Sequence, residues 1–142
     1  IEVEVIELSS FIKEKGEIDL IRMDIEGYEV EVFRGLRDVI ESGLFKGQIV
    51  FECHSPKYDD KEHSIRKELK MLFDNGYYAK YMTSNREKNS TFHERGLQPI
   101  KTIRTSVDNI QGVYKNLTNK DAEYLICDGL GVRDVFLEKR VE

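Results

Sequence analysis

Asp24, Glu26, Glu52 and His54 are the side chains in this sequence whose types and spacing could share one piece of chemistry. They form two pairs, each spaced by two residues and each at the end of a short apolar run. Alternate residues of an extended strand point to one side ~6.6 Å apart, and adjacent parallel strands lie ~4.8 Å apart. If the two runs are neighbours, the four groups converge within roughly 10 Å. Carboxylates and an imidazole gathered there could orient a hydroxyl-bearing substrate and remove its proton; imidazole is the side chain that ordinarily titrates nearest neutral pH. The same groups could hold a divalent cation, because carboxylate and imidazole suit Mg, Mn, Fe or Zn. No H-E-x-x-H or comparable spacing accompanies them, so the sequence assigns no metal ligands. Plainer readings stand beside these. Acids near a helix start complement its dipole, and a histidine after a strand is commonly a hydrogen-bonded edge residue.

The elements that must position these groups follow from periodicity. Ile18, Leu20, Ile21 and Met23 form a short apolar run, which predicts a strand over 18–24 covered on both faces. Gly27 permits a turn, and Val30, Phe33, Leu36 and Ile40 then recur at helical spacing over 28–41. A second strand over 48–54 ends at Ser55-Pro56. A helix over 62–75 carries Ile65, Leu69, Leu72 and Phe73, and Gly76 stops it. A third strand covers 77–82. Earlier, Val3 and Val5 alternate with acids as in a half-exposed strand, and Ser9 or Ser10 opens a brief helix to Lys15. Later, Ile100 to Val107 reads as a short strand or hairpin arm. Thr118 with Asp121 reads as a helix cap, and 132–139 as a last strand in the same sheet. Strand, helix, strand, helix, strand predicts an α/β fold built on parallel crossovers. Residues 1–142 read as a single domain, with 83–128 as a candidate cap insertion of basic, loop-like start.

The run D-L-I-R-M-D-I-E-G-Y-E-V-E-V-F-R-G, Asp19 to Gly35, resembles the middle motif of FkbM-type methyltransferases, which use S-adenosylmethionine. The likeness extends from about Val3 to His54 and resumes at Val132 to Lys139. It implies part of a Rossmann-like, class I methyltransferase sheet of mostly parallel strands flanked by helices. It places Asp24 beside the methyl-transfer centre, where it would also touch the cofactor, with Glu26 matching the acid that follows. The chain departs from the family in lacking a G-x-G turn after a strand, the usual cofactor cradle. It reads as the carboxyl part of such a domain, and its first residue, Ile1, suits an excised piece. The resemblance implies an S-adenosylmethionine-dependent O-methyltransferase acting on a sugar or similar small-molecule or glycan hydroxyl, with Asp24, Glu26, Glu52 and His54 as its catalytic group. The alternatives are a metal-dependent hydrolase or nuclease using the same four residues, or a non-catalytic interaction module. His54, not lysine, stands two residues after Glu52, unlike restriction-type nucleases.

Composition narrows the partners. The 142 residues carry a formal net charge of -5, which gives no support to nucleic-acid or anionic-membrane binding. No apolar run approaches the ~20 residues of a membrane helix. Cys53 and Cys127 stand outside any C-x-x-C spacing and no secretory signal is evident, so a reducing, cytoplasmic setting is expected. A strand at 18–24 lacking a neighbour on one side would favour a homodimer through that exposed edge.

Overall fold

The computed structural model describes residues 2–140. Helix α1 (Leu8–Lys15) leads into β1 (Leu20–Met23), α2 (Glu29–Glu41) and β2 (Gln48–Glu52). Next come a short 3-10 turn at Ser55–Lys57, α3 (Ile65–Asp74) and β3 (Tyr77–Ser84). After the one-turn α4 (Thr91–Glu94), β4 (Lys101–Ser106) and β5 (Asn109–Lys115) form a hairpin. Helix α5 (Asn119–Tyr124) runs into a wide π-type turn over Leu125–Gly129, and β6 (Val132–Lys139) closes the chain. Thr118 caps α5 as its spacing implies: its hydroxyl accepts the Asp121 N–H.

The six strands form one mixed sheet in the order β1-β2-β6-β3-β5-β4. This corrects the expectation of a mostly parallel sheet. Of the neighbouring pairs, β1–β2 is parallel, while β2–β6, β6–β3, β3–β5 and β5–β4 are antiparallel. The helical crossover through α2 does make its two strands parallel, as such connections require. The last strand then enters from the opposite direction and wedges between β2 and β3, so neither meets the other. The two-residue turn at Val107-Asp108 adds a further antiparallel arm. Residues 83–128, expected as a cap, thus include a hairpin that extends the sheet at the edge away from β1. No strand forms over residues 2–7, where Val3 and Val5 are exposed.

The core lies on one face of the sheet. Ile21, Met23, Ile49, Phe51, Val135, Leu137, Ala79 and Met82 are all buried there. Phe33 of α2 meets Phe51 edge-on, with ring centroids 5.3 Å apart. Residues pointing the other way, among them Leu20, Arg22, Val50 and Phe136, are exposed or half-buried. Strand β1 is therefore covered on one face, not both: Leu20 is 50% exposed. The expectation failed because an apolar run of four residues does not say which of its neighbours are covered.

Candidate active site at the ends of the two parallel strands

Parallel pairing of β1 with β2 aligns Leu20 with Gln48 and Met23 with Phe51, so both strands end at the same level. Asp24 and Glu26 follow the first; Glu52 ends the second, and His54 stands two residues beyond it. The backbone at Glu26 takes a left-handed φ of 56°, and Gly27 follows at 105°. Such a pair of positive values turns the chain sharply into α2. The turn is packed as well as bent: a Cβ on Gly27 would stand 2.6 Å from that of Lys57. It is braced from outside by His63, whose Nε2 lies 2.7 Å from the Gly27 carbonyl and whose Nδ1 lies 3.1 Å from Glu31. Both partners are acceptors, so the imidazolium form satisfies both contacts.

The four groups meet around His54. Its Nε2 lies 3.9 Å from Asp24 Oδ1, 3.8 Å from Glu26 Oε2 and 4.0 Å from Glu52 Oε1. These separations are too long for hydrogen bonds, leaving room between the ring nitrogen and the acids. Glu52 is also held by the Arg133 guanidinium at 2.8 Å, from the adjacent strand β6. Exposure grades across the group, from Glu26 at 80% and Asp24 at 43% to Glu52 at 17% and His54 at 14%. The outer acids face water while the ring is seated in the protein.

The sequence reading gave Glu29 no site role. Its side chain is fully buried, and Oε1 lies 2.9 Å from His54 Nδ1. The Tyr58 hydroxyl donates to Oε2 at 3.0 Å and accepts the His54 backbone N–H at 3.1 Å. Burial pushes the Tyr58 phenol far above its ordinary range, so it remains a neutral donor. A signal for Glu29 existed. The apolar stripe of α2 runs through Phe33, Leu36 and Ile40, and position 29 is one turn before Phe33 on that stripe. An acid placed there needs a partner.

Asp24, Glu52 and His54 offer donor atoms within 4.8 Å of one another, which makes them the residues here that could hold a cation. A small hollow of about 70 Å³ lies beside Ser55, Tyr58 and Cys127. A larger one of about 660 Å³ opens at the other end of β1, between Gly16–Asp19 and Gly43–Gln48, away from these groups. It offers none of the four and is not part of the site.

No helix among the described residues is long and apolar enough to cross a membrane. No curated protein and no solved structure matches the chain. Residues 1–79 match the family model described as the methyltransferase FkbM domain. That span covers β1, the D-x-E-G turn, α2, β2 and α3 and reaches the start of β3, and so contains all the groups gathered around His54. On that match the chain belongs to the FkbM methyltransferase domain family, and its function at family level is methyl transfer.

Proposed function

We propose that the chain carries the acceptor side of an S-adenosylmethionine-dependent O-methyltransferase whose acceptor is a sugar or similar hydroxyl compound. The observation that carries this reading is the convergence of Asp24, Glu26 and Glu52 on His54 Nε2, at 3.8–4.0 Å, where two parallel strands end. In open α/β sheets that end is where ligands bind. The residues fit one part of the cofactor: its sulfonium and ammonium are cationic, and Asp24 and Glu26 offer acids facing outward. The 70 Å³ hollow nearby is too small to enclose a nucleoside. When bound, S-adenosylmethionine supplies an electrophilic methyl group. Asp24 and Glu52 orient the acceptor hydroxyl, and His54 takes its proton. Alignment and exclusion of water contribute most of the acceleration in such a displacement.

The test is transfer of labelled methyl from S-adenosylmethionine to a panel of sugars and other hydroxyl compounds by the full-length protein. Transfer lost in Asp24→Ala and His54→Ala is the expected result. Undiminished transfer in both variants would overturn the assignment of these residues. A second reading, metal-dependent chemistry at the same edge, is favoured by the close approach of the Asp24, Glu52 and His54 donor atoms. Calorimetry with Mn²⁺ decides it, since binding that survives Asp24→Ala would sink that ligand set. The two free cysteines fit a reducing, cytoplasmic setting. Strand β1 is an outer strand of the sheet, which supports a homodimer paired through that edge; a monomeric mass by sedimentation would exclude it.

A further inference from the structure

We propose that Glu29 is a positioning residue that holds His54 in the tautomer protonated on Nδ1 and so presents Nε2 as the proton acceptor at the acidic edge. This rests on the reading of His54 as the base, and it assigns the atom. Glu29 is fully buried, and the partners of its two oxygens are the His54 ring at 2.9 Å and the Tyr58 hydroxyl at 3.0 Å. A carboxylate only accepts, so the shared proton belongs to Nδ1 and the lone pair to Nε2. Burial keeps Tyr58 protonated, which leaves it as the donor toward Oε2 and leaves Oε1 for the ring. Tyr58 also accepts the His54 backbone N–H, so ring and main chain are fixed by the same pair of residues. Rotation of the ring would exchange this hydrogen bond for nothing on a fully buried carboxylate. Nε2, by contrast, has no group within hydrogen-bonding distance among Asp24, Glu26 and Glu52.

The proton step balances without a co-reactant. The O–H bond of the acceptor breaks, an N–H bond forms on Nε2, and the electron pair stays on the acceptor oxygen. The ring that gains the proton is faced by the carboxylates of Asp24 and Glu26 from the β1 turn, Glu52 from β2 and Glu29 from α2. Arg133 of β6 pairs with the same Glu52 oxygen that faces the ring, and so offsets part of that acid's charge there.

Two readouts test the proposal, one of them independent of activity. In ¹⁵N NMR of the histidine rings, assigned against His54→Gln, we expect the neutral His54 ring to carry its proton on Nδ1. Glu29→Gln keeps an acceptor for that proton and retains the tautomer, whereas Glu29→Leu shifts the neutral ring toward protonation on Nε2. Glu29→Ala, which also lacks an acceptor but is smaller, covers the case in which Glu29→Leu fails to fold, and is expected to show the same shift. In the full-length protein, Glu29→Leu lowers kcat on the order of 100-fold with KM little changed, and Glu29→Gln restores part of the loss. A His54 ring protonated on Nε2 in the unaltered protein, or a tautomer indifferent to both Glu29→Leu and Glu29→Ala, overturns the inference. Should the protein transfer no methyl while the tautomer follows Glu29, the methyltransferase reading fails and the positioning role stands.

Discussion

Two carboxylate–histidine pairs in this molecule share a separation of 2.9 Å and have opposite surroundings. Glu29 with His54 stands where β1 and β2 end; Glu87 with His93 stands beneath the β4–β5 hairpin. In the second pair the acid is the hub. Glu87 also accepts from the Ser84 and Tyr114 hydroxyls, and the Ser84 oxygen accepts the Gly112 N–H, which ties the hairpin to β3. Its histidine is 41% exposed and pairs with no other acid among the described residues. In the first pair the histidine is the hub. It is seated by one buried acid and ringed by three more that it does not bond. A carboxylate–histidine contact is therefore not by itself a mark of chemistry. What distinguishes the two is how the bonding capacity is used: Glu87 spends its own inside the protein, whereas the Nε2 of His54 bonds none of the three acids around it.

The sharpest way to break this contrast is to delete both imidazoles in turn. His54→Ala is expected to reduce turnover by ~100-fold or more, as loss of a general base does, while His93→Ala leaves turnover unchanged. Equal losses in a methyl-transfer assay would erase the distinction. Stability should respond in the reverse sense. Glu87→Ala strands the Ser84 and Tyr114 hydroxyls and is expected to cost about 2 kcal/mol in urea unfolding, whereas His93→Ala, which removes a half-exposed partner, costs less than ~1 kcal/mol. A Glu87→Ala protein as stable as its parent would show that the hub holds nothing.

A third acid sharpens the comparison at the smallest scale. Glu138 on β6 accepts from Lys80 and Tyr78 on β3, and the hydrogen bond from the Lys80 ammonium, then that from Tyr78, holds its carboxyl below the ordinary range. A depressed folded value contributes stability that is present above the unfolded value of about 4.3 and lost as pH falls through the folded one. Unfolding midpoints measured between pH 6 and pH 3 should therefore fall less steeply in Glu138→Gln than in the parent. Parallel profiles would mean that this cross-strand contact is neutral.

Much of the scaffold was legible because its period is strong. The last strand begins at Val132 and ends at Lys139 as its alternation implies, and α2 falls within the expected 28–41. The pairing of β1 with β2, and with it the approach of Asp24 to His54, followed from a single helical crossover. Strand order was not legible, because nothing in residues 132–139 says that they insert between β2 and β3. Strand β4 was half hidden, since all six of its residues are exposed and no buried face imposes a period. Glu29 was masked by a second explanation. An acid at a helix start already has a reason to be there, and the stripe position that would have betrayed it was counted from Val30. Glu68 on α3 shows the same disguise: it falls within the apolar stripe of its helix, is 3% exposed, and is answered by Arg34 and Arg37 of α2.

The left-handed backbone at Glu26 carries a consequence for how this protein would respond to selection. A non-glycine residue at φ 56° gives up about 1 kcal/mol that glycine or asparagine would largely recover. With its side chain 80% exposed, Glu26 has little packing to lose in exchange. A variant library sorted for heat resistance should drift toward glycine at this position, and one sorted for turnover should keep the acid. The two populations would part at a single codon, one favouring an easier turn and the other a carboxylate held at the mouth of the site.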